Sequence, residues 1–150
     1  MNFTRLFNNF FIGDAEAAAD ATLLKAHGIT AVVNVAAEIN DPMYTDRCTY
    51  FKFPLYDDDL FTASEHIQDE QAEWYKSAVD SVVRLMSDDH VVLVHCAMGI
   101  SRSSAVCIGS LKKMNYGSWS QCEDFLRDNH PSSRLLNRGV LDYMAKRVKL

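Results

Sequence analysis

Apolar positions along the chain follow two alternating patterns. Short unbroken runs, namely Phe10-Phe11-Ile12, Ile29 to Val35, Cys48 to Phe53 and Val91-Val92-Leu93-Val94, read as strands. The last is the most hydrophobic run in the chain and suits a central strand covered on both faces. Gly13-Asp14 turns the chain after the first run, and Pro54 stops the third. Between these runs the period lengthens to that of a helix. Asp14 caps an Ala-rich helix running to about Ala26, with Gly28 just past its end. From about Asp69 to Met86, residues Tyr75, Val79, Val82 and Met86 recur on one helical face. Further helices are predicted from about Arg102 to Met114, over 119–129 and over 138–148, with breaks at Asn115-Tyr116-Gly117 and Pro131-Ser132-Ser133. Strands alternating with helices predict a single-domain α/β fold, a mainly parallel central sheet flanked by helices. Ligands of such sheets bind beyond the carboxyl ends of the strands, so the end of the 91–94 run is where to look.

Composition narrows the class. A chain of 150 residues, 48% hydrophobic and 23% charged, matches one soluble domain spanning 1–150. No internal repeat, low-complexity tract or Pro/Gly/Ser linker divides it. Met1 to Phe11 has no basic stretch leading into an apolar run, so it does not read as a signal peptide, and Asn2 excludes N-myristoylation. No segment nears the ~20 apolar residues of a membrane span. These features predict an intracellular, cytoplasmic protein, or a nuclear one in a eukaryote. The four cysteines, Cys48, Cys96, Cys107 and Cys122, form no CxxC pair and keep no metal-ligand spacing with histidines. The expectation is free thiols with no metal and no other cofactor. Net charge is −5, but it is unevenly placed. Residues 1–101 hold 6 Lys/Arg against 16 Asp/Glu, whereas residues 102–150 hold 9 against 4. The basic C-terminal part would give an anionic substrate a positive rim, although most such charges simply solvate a surface.

The 91–94 run leads directly into His95-Cys96-Ala97-Met98-Gly99-Ile100-Ser101-Arg102-Ser103. A cysteine nucleophile reacts as its thiolate. Between a strand and a helix, the Cys96 sulfur meets inward-pointing amides and the positive helix end, both of which favour that anion. Gly99 permits the tight backbone path that turns successive amides inward as an anion nest. The amides of Ala97, Met98, Gly99, Ile100, Ser101 and Arg102 can then hold phosphate oxygens. Arg102 follows Cys96 by six positions, which leaves a loop long enough to surround one phosphate. Its planar fork can hold two oxygens, as a lysine's point charge cannot. Ser103 can donate a hydrogen bond to the Cys96 sulfur and help it leave. His95 can order the loop from beneath. A buried core cysteine is the ordinary reading for Cys107 and Cys122, but it leaves the residues around Cys96 unexplained.

This segment resembles the signature of the protein tyrosine phosphatase superfamily, HCxxGxxR followed by Ser or Thr. Its Gly-Ile-Ser-Arg-Ser version is similar to the small, atypical dual-specificity phosphatases. Ile12-Gly13-Asp14, Gly28-Ile29-Thr30 and Val33-Asn34-Val35 resemble that family's opening. Tyr50 to Asp57 resembles its Tyr-x-x-hydrophobic-Pro-hydrophobic-x-Asp segment, and Asn137-Arg138-Gly139-Val140-Leu141 its asparagine-led final helix. The resemblance implies Asp57 as general acid, with Asp58 next, and Asn137 as a brace for the phosphate loop. Between Asp57 and Trp74 the chain looks several residues longer than the family pattern, and the excess, within 58–73, is acidic.

The implied activity is hydrolysis of phosphotyrosine and phosphoserine/threonine through a phosphocysteine intermediate. The partners would be a phosphorylated protein and, in the site, phosphate or a similar oxyanion. RNA 5′-triphosphatase or phosphoinositide phosphatase activity is the alternative within the superfamily. Those branches often carry lysine or histidine in the loop, whereas Ala97, Met98 and Ile100 are apolar, which also argues against a nucleic-acid partner. A non-catalytic phosphoprotein-binding module is the alternative from another class, but such modules typically lose the cysteine, arginine or acid. A rhodanese-like sulfur transferase has no need of Arg102 at this spacing. A Cys96–Cys48 disulfide would be a redox switch if the two thiols met.

Overall fold

A computed structural model describes residues 1–41, 47–57 and 64–134. Its strands are β1 (Phe3–Phe7), β2 (Phe10–Gly13), β3 (Ala31–Asn34), β4 (Thr49–Lys52) and β5 (Val92–His95). The helices are α1 (Ala15–Ala18), α2 (Ala21–Ala26), α3 (Glu65–Ser87), α4 (Arg102–Lys113) and α5 (Trp119–Asn129). The sheet has the order β1-β2-β5-β3-β4. β5 lies at its centre, parallel to both β2 and β3, and β4 is parallel to β3. Only β1 is antiparallel, paired with β2. The architecture is thus the mainly parallel α/β sheet that the hydrophobic pattern predicts.

Strand periodicity divides the core into two layers. Phe10, Ile12, Val33, Val92 and Val94 face α3, α4 and α5 in the larger cluster. The intervening Phe11, Val32 and Leu93 face the other side, with Ala18 of α1 and Leu24 of α2. All four β5 residues are buried, which explains why that run has no polar alternation. Buried Tyr75 of α3 donates its hydroxyl to Ala105 O at 2.9 Å, fastening the first turn of α4.

Two expectations need correction, and one strand is new. The Ala-rich segment is two short helices, because Asp20 adopts an extended conformation and caps a new helix by accepting from Leu23 N at 3.0 Å. α3 starts at Glu65, earlier than its apolar stripe begins, capped by Ser64. Residues 65–73 of the acidic segment are therefore its opening turns. β1 was not foreseen from the sequence, since only its Leu6 is buried and an edge strand needs little apolar alternation. The helix expected over 138–148 lies outside the described residues. No helix among the described residues is long and apolar enough to cross a membrane.

Candidate active site

The loop after β5 is organised by what its carbonyl groups do. Cys96 O lies 3.0 Å from His95 Nδ1. Ala97 O accepts from Ala15 N at 3.0 Å, and Met98 O from Asn2 Nδ2 at 2.8 Å. Gly99 O lies 2.8 Å from His130 Nε2. Ile100 O accepts from Arg134 N at 2.9 Å and from Ser104 Oγ at 2.6 Å, and Ser101 O from Ala105 N at 2.9 Å. Every carbonyl from Cys96 to Ser101 is thereby held by surrounding structure. Across a planar trans peptide the N–H points opposite to the C=O. The amides of residues 97–102 are therefore turned away from those carbonyl partners. Ser101 makes no side-chain cap, so the N-terminal amides of α4 add to that donor set.

Gly99 is what lets the loop lie this close to its support. Its φ is +68°, and a Cβ there would stand 2.8 Å from Gly13 C and 2.9 Å from Gly13 O. The loop packs on the β2–α1 turn, where Asp14 caps α1 by accepting from Ala17 N at 2.8 Å. Cys96, 3% exposed, begins the loop, with its Sγ 3.1 Å from Ser103 Oγ.

Arg102 closes the loop, and its five N–H donors are already divided. Nη1 and Nη2 both donate to the Glu38 carboxylate, one to each oxygen, with Nη1–Oε2 at 2.7 Å. Nη1 also donates to Leu55 O at 2.9 Å. This end-on grip leaves the Nε–H and the second Nη2–H, the parallel side-on fork, for a ligand. Asp57 Oδ1 stands 3.8 Å from Nε at that fork. Burial disfavours the Arg102 charge, but the Glu38 hydrogen bonds and the nearby negative charges outweigh it, and its pKa rises. Chiefly through its hydrogen bond to Arg102, the Glu38 carboxyl is lowered to about 2.

His95 is fully buried, with Nε2 2.9 Å from Asp41 Oδ1. It contacts the Cys96 carbonyl, so its place is beneath the loop. Burial, with Cys96 nearby, pushes the Cys107 thiol well above its ordinary range, and burial also raises Cys122. A Cys96–Cys48 disulfide does not fit the fold. Cys48 precedes β4 and donates Sγ–H to Ile29 O at 3.1 Å, at the end of the parallel strands opposite Cys96. Strand register sets the two five residues apart along the sheet, about 16 Å, far beyond disulfide reach.

Cys96, Ala97 to Arg102, Ser103, His95 and Asp57 thus come together at the carboxyl end of β5. Asn137 and Asp58 lie outside the described residues. Of the described C-terminal cations, Arg102 and Arg134 lie by the loop, whereas Lys112 and Lys113 sit at the opposite end of α4. Sequence reasoning missed Glu38, Asp41, Asn2 and His130. For Glu38 and Asp41 a signal existed, because they follow β3, whose end lies beside that of β5. No group of metal-ligating side chains is present among the described residues.

Residues 10–142 match the model of the dual specificity phosphatase catalytic domain. The chain belongs to that family. It is 27% identical to dual specificity protein phosphatase 18 of Rattus norvegicus over 87% of its length and 60% of the relative's. Identity to dual specificity protein phosphatase 14 of Mus musculus is 34%, over 74% of this chain and 52% of that one. This phosphatase-family chain therefore spans little more than half the length of these curated relatives. Its fold matches the crystal structure of a mouse putative dual specificity phosphatase complexed with zinc tungstate, with a TM-score of 0.82 and 24% identity, covering 99% of this chain and 89% of that one.

Proposed function

We propose that the chain hydrolyses phosphotyrosine and phosphoserine/threonine in proteins, through a phosphocysteine on Cys96. What supports this is the pairing of Cys96 Sγ with the Ser103 hydroxyl, the side-on fork that the Glu38 grip leaves on Arg102, and a loop whose outer carbonyls are all held from Cys96 to Ser101. Backbone amides and an arginine fork are the donors that a tetrahedral dianion requires. The mouse structure that shares the fold is a complex with zinc tungstate, and tungstate, like phosphate, is a tetrahedral oxyanion.

In the first step the Cys96 thiolate attacks phosphorus as the ester P–O bond breaks. The leaving oxygen takes a proton from Asp57, without which an alkoxide leaves poorly. Arg102 and the amides hold the three non-bridging oxygens throughout. In the second step water attacks the phosphocysteine while the Asp57 carboxylate accepts its proton. The P–S bond breaks, and Ser103, 3.1 Å from the sulfur, donates to the departing thiolate. Inorganic phosphate is released and the thiolate returns. His95, in contact with the Cys96 carbonyl, supports the loop from beneath, and the family resemblance gives Asn137 the task of bracing it.

The loop's own side chains favour a monophosphorylated protein over a polyphosphate. Met98, 66% exposed, and Tyr56, 44% exposed, are apolar or aromatic, and the loop itself adds no cation besides Arg102. A protein substrate can lay side chains against such a surface. An RNA 5′-triphosphate or an inositol polyphosphate would bring further charge with no partner in the loop. Phosphotyrosine and phosphothreonine peptides, an inositol phosphate and a 5′-triphosphorylated RNA, assayed side by side, test this reading. Both peptides should turn over, without added metal and in EDTA. Faster turnover of either polyphosphate would overturn the substrate assignment.

A further inference from the structure

Lys52 takes no part in the chemistry described so far, yet its contacts are built around it. It ends β4, an edge strand, where a lysine commonly serves only to solvate the edge. Here its ammonium converges on three acceptors: Ala37 O at 3.1 Å, Ile39 O at 2.8 Å and Asn40 Oδ1 at 2.9 Å. An ammonium has three N–H donors, so the set matches its capacity. The acceptors flank Glu38 on both sides. Asn34, buried at the end of β3, holds the same segment from within, donating Nδ2–H to Ile39 O at 2.7 Å and accepting from Ala36 N at 2.9 Å. Ala37 N donates to Leu55 O at 3.0 Å, the carbonyl that also receives Arg102 Nη1.

The Glu38 side chain is 52% exposed. A half-exposed carboxylate on a loose loop would make an ordinary surface ion pair, worth little and free to rearrange. A backbone fixed on both flanks changes that, because the carboxylate then arrives at Arg102 already oriented. We propose that Lys52 is a positioning residue for the phosphate-binding arginine. Its ammonium shapes the 36–40 loop so that Glu38 grips Arg102 end-on and leaves the side-on fork aimed at phosphate. This rests on the proposed function, in which Arg102 holds the substrate phosphate.

The test is a double-mutant cycle on the full chain, using Lys52→Met, Glu38→Gln and both together. It reads kcat and KM on an aryl phosphate, the competitive inhibition constant of inorganic phosphate, and thermal melting. Lys52→Met should lower kcat/KM about tenfold and weaken phosphate binding, while in the Glu38→Gln background it should add less than about twofold. Lys52→Arg keeps the charge but presents a planar fork to oxygens arranged around one point, and should fall between. If Lys52→Met folds too poorly to assay, the same cycle is run with Lys52→Arg. A Lys52 loss that is additive with Glu38→Gln, or that leaves the phosphate constant unchanged, overturns the proposal. Arg102→Lys separates the two levels. If it is inactive while Lys52→Met behaves as wild type, only the role of Lys52 fails; if it is fully active, the reading of the site fails.

Discussion

Replacing Gly99 by alanine should damage stability and turnover together. One part of the cost is conformational: φ at Gly99 is +68°, and placing an L-residue in that region costs about 1–2 kcal/mol. The other part is steric. The new Cβ would stand 2.8 Å from Gly13 C, 2.9 Å from Gly13 O and 3.1 Å from Asp14 N. These are backbone atoms of the β2–α1 turn and cannot rotate aside, so the loop must lift. Lifting strains the bonds beside it, Met98 O to Asn2 and Gly99 O to His130, at about 1 kcal/mol for each one lost. The total is about 2–4 kcal/mol, which for a chain of this size lowers the melting temperature by roughly 4–16 °C. A loop displaced by about 1 Å misplaces the amides around the phosphate, which costs on the order of a hundredfold in kcat/KM. Thermal unfolding and steady-state kinetics on an aryl phosphate measure both. If Gly99→Ala melts within a degree of wild type and keeps full kcat/KM, the close packing of the loop on Gly13 is not what holds its shape.

Three further outcomes follow from the site. The Glu38 carboxyl, lowered from 4.5 to about 2 by its bond to Arg102, is a depressed acid, so its stabilisation is present above pH 4.5 and lost as pH falls toward 2. Urea midpoints measured from pH 5 to pH 2.5 should fall more steeply for wild type than for Glu38→Gln, and parallel curves would count against the pair. Asp57→Asn should slow phosphoserine and phosphothreonine peptides by about a hundredfold or more while sparing an aryl phosphate with a good leaving group. If Asp58→Asn shows that pattern instead, the acid is misassigned. Brief iodoacetamide treatment followed by peptide mass spectrometry should label Cys96 before Cys107 and Cys122, whose thiols burial pushes up; early labelling of Cys107 would contradict its placement in the core.

What could be read from the sequence was local or strongly periodic. The Val91–Val94 run suited a strand covered on both faces, and Cys96, Gly99 and Arg102 carry their chemistry within one loop of seven residues. What supports that loop was not legible. Asn2, Asp41, Glu38 and His130 reach it from 96, 54, 64 and 31 positions away along the chain. No spacing rule links residues that only a sheet order of β2-β5-β3 brings together. The distance between Cys96 and Cys48 was hidden for the same reason, since only strand direction puts them at opposite ends of the sheet. Asp20 shows a smaller version of the problem. It sits inside an Ala-rich run that favours one helix, yet its carboxylate supplies a better cap than a continued helix would.

The central claim is that Cys96 becomes covalently phosphorylated during turnover, and it can be observed directly. A reaction with a phosphotyrosine peptide, quenched in acid within the first turnovers and analysed by peptide mass spectrometry, should show one added phosphoryl group on the peptide containing Cys96. The amount should rise in Ser103→Ala, where the sulfur leaves more slowly, and the adduct and turnover should both vanish in Cys96→Ser. Sustained turnover by Cys96→Ser, or a phosphoryl group found on another residue, would contradict the account.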